Sequence, residues 1–133
     1  MPDQLVATPT TRAQVAEEDV EFCSASGHID LATTPAFRAR MAHRLDSGPS
    51  ALVVDLTRVT FVGTAGVAAL IAANARAERM GTYFAVVADN HQVLRSLRVT
   101  GADRVLPVCS TLTEAACAAE TGTPDIPIPR TGR

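Results

Sequence analysis

The sequence predicts an α/β protein, one domain with a mostly parallel sheet of four or five strands and about four helices. Three observations predict it. Apolar runs of strand length alternate with segments of helical period along most of the chain. The run Ala51-Leu52-Val53-Val54-Asp55-Leu56 is almost continuously apolar, as a central parallel strand covered on both faces should be. The boundaries between runs carry helix start and stop residues: Thr34-Pro35, Asp89-x-x-Gln92 and Thr111-x-x-Glu114 at starts, Gly81 and Gly101 at ends.

Taken in order, residues 1–12 are rich in Pro, Thr and Gln and read as a flexible leader. The domain spans residues 13–120, and residues 121–133, with Pro124, Pro127 and Pro129, read as a loose tail. Ala13 to Ala16 suggests a short N-terminal edge strand, turning through Glu17-Glu18-Asp19 into a clearer strand from Val20 to Ser26. Gly27-His28-Ile29-Asp30 reads as a loop leading to Thr34 as N-cap and Pro35 as the first helical residue. Phe37, Met41 and Leu45 then form one apolar stripe until Ser47-Gly48-Pro49 stops the helix. A helix runs from Thr64 to Met80, a strand from Tyr83 to Ala88, and a helix with Leu94 and Leu97 inward follows. A last strand from Arg104 to Val108 and a final helix capped by Thr111 complete the pattern.

Composition narrows the function. The chain has 133 residues, 47% of them hydrophobic, and a formal charge of −2, so it carries no electrostatic footprint for nucleic acid or an anionic membrane. Arg38, Arg40 and Arg44 are the densest basic group and read as a solvated helix face. There is no apolar run of membrane-span length and no signal-like start, so a cytoplasmic protein is the simplest expectation. Cys23 alternates with Val20 and Phe22 as a small buried hydrophobe, while Cys109 and Cys117 leave a redox pair conceivable. His28, His43 and His91 show no metal-ligand spacing, and neither a metal nor a cofactor is expected.

The most informative segment is Phe61-Val62-Gly63-Thr64-Ala65-Gly66-Val67. It places a hydroxyl between two glycines at the mouth of a helix, where unpaired N–H groups and the helix dipole favour an anion. Thr64 there is a plain N-cap or a residue on which a phosphate is placed and sensed. A phosphate-binding loop of the Gly-x-x-x-x-Gly-Lys-Ser/Thr type is excluded because the Lys is missing. Gly-x-x-Gly is also too short for a dinucleotide fingerprint. Along the same helix Val67, Leu70, Ile71 and Asn74 suit a sheet, while Ala65, Ala69 and Ala72 lie on another side, leading to Arg76 and Arg79. Either those alanines let another surface approach closely, or they are present as good helix formers.

Three blocks together resemble a STAS domain of the anti-sigma-factor-antagonist type. Ser26-Gly27-His28-Ile29-Asp30 is similar to the family's Gly-Glu-Leu-Asp turn. Leu52-Val53-Val54-Asp55-Leu56, followed by Val59-x-Phe61-Val62-Gly63-Thr64-Ala65-Gly66-Val67, resembles its hydrophobic strand, Asp-Leu, and Phe-(apolar)-Asp-Ser-Ser-Gly-Leu. Val93 to Asp103 resembles its leucine helix, Gly-Leu and Asp, with Ser110-Thr111-Leu112-x-Glu114-Ala115 closing. The match covers about Ala13 to Ala119.

The resemblance implies an anti-sigma factor antagonist, not an enzyme. Such a protein binds an anti-sigma factor of the ATP-dependent serine-kinase type, releases a sigma factor and is switched off by phosphorylation. It maps the phosphoacceptor onto Thr64, the family's Asp onto Gly63, its second Ser onto Ala65 and its last Gly onto Gly66. The partner surface it implies comprises Gly27, His28, Asp30, Gly63, Thr64, Ala65, Gly66, Ala69 and Ala72. A serine/threonine phosphatase and a second copy of the chain are further partners it admits. The alternative is a STAS subunit of an ABC-type membrane lipid-transport assembly, where Asp-Thr-Ala-Gly-Leu-Ala is typical and Thr64-Ala65-Gly66-Val67-Ala68 is close to it.

Overall fold

A computed structural model describes residues 19–121. Their elements are β1 (Val20–Ile29), α1 (Thr34–Asp46), β2 (Ala51–Val62), α2 (Thr64–Met80), β3 (Tyr83–Val87), α3 (His91–Val99), a 3₁₀ turn (Ala102–Arg104), β4 (Val108–Cys109) and α4 (Leu112–Thr121). The four strands form one parallel sheet in the order β1-β2-β3-β4. The suggested strand at 13–16 and most of the tail lie outside the described residues.

Because strand order follows chain order, crossovers of one hand place α1, α2 and α3 on the same face. Their buried residues confirm it: Phe37, Met41 and Leu45, then Val67, Leu70 and Ala77, then Val93 and Leu97, share one core with Leu52, Val54 and Leu56 of β2. The other face is closed by α4, where Ala115 packs with Val53, Ala85, Val87 and Cys109. This double cover explains why Ala51 to Val54 are fully buried and why the sequence there has no polar alternation.

Several boundaries differ from those the sequence predicts. β1 continues through Gly27, His28 and Ile29, which pair with Val59, Phe61 and Val62, so that segment is strand end and not loop. β2 correspondingly runs on to Val62, well past Asp55, where its pairing with β3 stops. The β1–β2 pair thus projects as a two-stranded ribbon. Arg104 to Val108 is not a strand: the 3₁₀ turn takes its start, and only Val108 and Cys109 pair.

Two caps also move. Thr34 donates its hydroxyl to the Asp30 carbonyl at 2.6 Å and does not cap α1. Asn90, not Asp89, caps α3, its Oδ1 accepting from Gln92 N at 2.7 Å and Val93 N at 3.3 Å. Thr111 behaves as predicted, accepting from Glu114 N at 3.1 Å, while Glu114 returns to Ser110 N at 2.9 Å.

Tyr83 opens β3 on the α4 face with its hydroxyl buried and unpartnered. Burial first, and the Cys109 thiol second, push its ionisation up to about 12. A buried hydroxyl without a partner carries a desolvation penalty that the isosteric hydrocarbon lacks. Tyr83→Phe is therefore expected to raise stability by about 1 kcal/mol, seen as a higher thermal midpoint. A lower midpoint would show that the hydroxyl finds a partner in solution.

Candidate functional site

The site is built where β1 and β2 end side by side. Ile29 pairs with Val62, and Gly63 N donates to the Ile29 carbonyl at 2.8 Å. The two helix starts that follow are therefore neighbours. Asp30, Leu31 and Ala32 from one, and Gly63, Thr64 and Ala65 from the other, line a single surface recess.

The first wall is a polar turn. Asp30 Oδ1 accepts from Ala32 N at 3.0 Å and Thr33 N at 3.1 Å. Thr33 Oγ1 accepts from Asp30 N at 2.9 Å and gives its one hydrogen to His28 O at 2.8 Å, with Asp30 Oδ1 the alternative acceptor at 3.1 Å. Donors converging from Thr33, and then Ala32, hold the Asp30 carboxyl below its ordinary range. This charge is committed to its own loop.

The second wall is the bare start of α2. Gly63 (φ −84°, ψ 178°) occupies the N-cap position, and no side chain caps the helix. Thr64 is the first helical residue and is exposed. The expectation that its hydroxyl caps α2 is therefore corrected: a side chain one residue inside the helix points away from the N–H groups a cap must reach. Gly66 is buried against the strand ends, where an added Cβ would lie 2.7 Å from Ile29 Cγ2 and 3.0 Å from Val62 Cγ1.

The remaining expected surface residues divide. His28 is exposed and meets the Phe61 ring edge to face, centroids 6.1 Å apart at 82°. Gly27 lies one pair further back in the ribbon, at φ +76°. Ala72 is exposed on α2, but Ala69 is 1% exposed and belongs to the core, so it offers no surface to a partner. The helix uses its small residues inward: Gly66, Ala69 and Ala77 are buried, and Ala73 packs against the same core. Sequence reasoning missed Leu31, 81% exposed, which lines the recess, and Phe61, 45% exposed, whose ring lies beside Gly63. An apolar Leu31 inside the polar turn Asp30 to Thr34 was the available signal.

Cys109 is buried at the end of β4 and Cys117 is exposed on α4. Burial raises the Cys23 thiol, as suits a core residue. Among the described residues no three His, Cys, Asp or Glu side chains gather in a way that could hold a metal ion. No described helix is long and apolar enough to cross a membrane.

Fold and site together define a small α/β domain with a surface recess at the carboxyl ends of adjacent parallel strands. Residues 13–108 match the family described as Mlab, STAS domain. The chain is 32% identical over 116 residues to the anti-sigma-F factor antagonist RsfB of Mycobacterium tuberculosis, covering 86% of this chain and 88% of that protein. It also resembles the crystal structure of an anti-sigma factor antagonist from Mycobacterium paratuberculosis, with 36% identity, a TM-score of 0.71, and coverage of 77% of this chain and 86% of the other. SpoIIAA in its unphosphorylated form shares the fold, with a TM-score of 0.63 at 14% identity over 78% of this chain and 90% of that one. The chain belongs to the STAS domain family, in its branch of anti-sigma factor antagonists.

Proposed function

We propose that the chain binds an anti-sigma factor of the ATP-using serine-kinase type through the face formed by the Asp30 turn and the start of α2. Binding frees the sigma factor that the anti-sigma factor holds, and phosphorylation of Thr64 ends it. The chain performs no reaction itself. The observation that carries this reading is the placement of Thr64, exposed at the uncapped start of α2 and on the rim of the recess. The two relatives above 30% identity described here both bear the antagonist name, which favours this reading over a subunit of a lipid-transport assembly.

The physics of such a switch is asymmetric. A phosphate on Thr64 brings about −1.5 to −2 charges at neutral pH. The start of α2 tolerates it, because negative charge in the first turn of a helix is favoured by the helix dipole. A partner closing over the same spot would bury that charge unmatched, at a cost of several kcal/mol.

Titration of purified variants against the kinase-type anti-sigma factors of the same genome tests the reading. Thr64→Ala is expected to bind as the parent does and to melt at nearly the parent temperature, since no cap bond is lost. Thr64→Glu is expected to stay folded and to bind at least tenfold more weakly, a difference of about 1.4 kcal/mol. Parent-like affinity of Thr64→Glu would overturn the switch.

A further inference from the structure

We infer that Phe61 is the anchor of this face, and that glycine stands at position 63 to leave room for its ring. This rests on the reading of the face as the docking surface for an anti-sigma factor and adds the chemistry of the contact. The partner offers an uncharged apolar cleft that takes an aromatic ring.

Every other apolar residue of β2 is at most 2% exposed, whereas Phe61 is 45% exposed. The cause lies in the ribbon beyond Asp55, where β2 no longer pairs with β3. Ser24 pairs with Asp55 but Ser26 with Arg58, and Gly27 pairs with Val59 but His28 with Phe61, so β2 carries one extra residue at each of two bulges. The two shifts cancel in parity: Val62 falls on the buried side of Leu52, Val54 and Leu56, and Phe61 falls on the opposite side and is turned to the surface. Gly27, in the left-handed region at φ +76°, supplies the backbone conformation on the partner strand.

Nothing in the backbone requires glycine at 63, because φ −84° is open to any residue. The constraint is the ring. A Cβ at 63 would lie 3.3 Å from Phe61 Cε2 and 3.7 Å from Cζ, so even alanine would press on it. Asp, Ser, Thr and Asn lead at this helix position for their capping oxygen. Here that oxygen is forgone and an aromatic ring lies against the helix start. His28 meets the ring edge-on from β1. A ring held in this way loses little rotamer freedom on binding, and aromatic anchors of this kind dominate interface energies.

The surroundings say what the ring is for. Leu31, Ala32, Gly63, Thr64 and Ala65 in the recess are uncharged, and the Asp30 carboxylate is already engaged by its own turn. The Asp30 carboxylate, one oxygen of it held by its own turn, is the one charge among these lining residues. A phosphate on Thr64 would add further negative charge beside it.

Three variants test this, with binding measured against the same purified anti-sigma factors and folding checked by thermal melting. Phe61→Ala is expected to bind about thirtyfold more weakly, the size of a hot-spot truncation, while staying folded, since the ring is half exposed. Gly63→Asp adds a capping carboxylate and displaces the ring, so it is expected to melt at or above the parent temperature and to bind at least tenfold more weakly. In the free protein, the ring-current shift of the Gly63 α-protons should vanish in Phe61→Leu, which reads the ring position without any partner. Binding within threefold of the parent by Phe61→Ala, or no ring-current shift in the parent, overturns the inference alone. A parent protein that binds none of the anti-sigma factors, with the ring-current shift present, overturns the docking reading and this inference with it.

Discussion

Ala69→Arg is expected to abolish folding, and Ala72→Arg to leave it nearly untouched. Both alanines look equivalent in the sequence, three residues apart on α2. Ala69 is 1% exposed and sits in the core shared by the sheet and the covering helices, whereas Ala72 faces solvent. An arginine at 69 must either displace close-packed neighbours or bury an unpaired charge, and each costs several kcal/mol. Domains of this size have a total stability of about 5–15 kcal/mol. Far-ultraviolet circular dichroism of the two variants decides the matter. A native spectrum and melting temperature for Ala69→Arg would return this stripe to the surface, as a docking strip for a partner.

Gly66→Ala is expected to destabilise the domain by about 1–2 kcal/mol, against the usual direction for glycine in a helix. Helix propensity alone favours alanine by about 1 kcal/mol. Packing opposes it: the new Cβ would fall 2.7 Å from Ile29 Cγ2, 3.0 Å from Val62 Cγ1 and 3.4 Å from Ile29 Cβ. Both neighbours are β-branched residues at paired strand ends, so neither can swing aside without moving backbone. Overpacking of this kind costs about 1–3 kcal/mol and outweighs the propensity gain. The thermal midpoint should fall by about 5–10 °C, and Gly66→Val should fall further. The same push would lift α2 from the Asp30 turn, widening the recess, so partner affinity should drop with stability. An unchanged midpoint would mean that the two strand ends yield.

The three large helices and the runs of the first three strands were legible because their signals are local. Phe37, Met41 and Leu45 recur at helical spacing and are buried together, and the run from Ala51 to Leu56 is central in the sheet as its continuous apolarity implies. Gly81, at φ +77°, ends α2 as glycine does wherever a helix closes through the left-handed region. The convergence of Asp30 with Gly63 to Ala65 was legible too, because parallel strands deliver the turns that follow them to one edge of the sheet. The caps were less so. Asp89 and Asn90 are adjacent and chemically suited to the same role, and only the path of the chain leaving β3 decides that Asn90 takes it.

By itself, then, the sequence determined the class of fold, the order of its elements, the exposed threonine at a helix start and the family to which these belong. All of these follow from periodicity, turn chemistry and spacing within a few residues of each other. Tertiary structure alone decided which alanine of α2 is core and which is surface, because burial depends on what α1 and the sheet bring to each side of the helix. It also decided that Phe61 stands outside and Val62 inside. That outcome depends on two extra residues in β2 relative to β1, which cancel in parity, and on β3 ending its pairing at Asp55, relations between segments about thirty residues apart that no strand reveals alone.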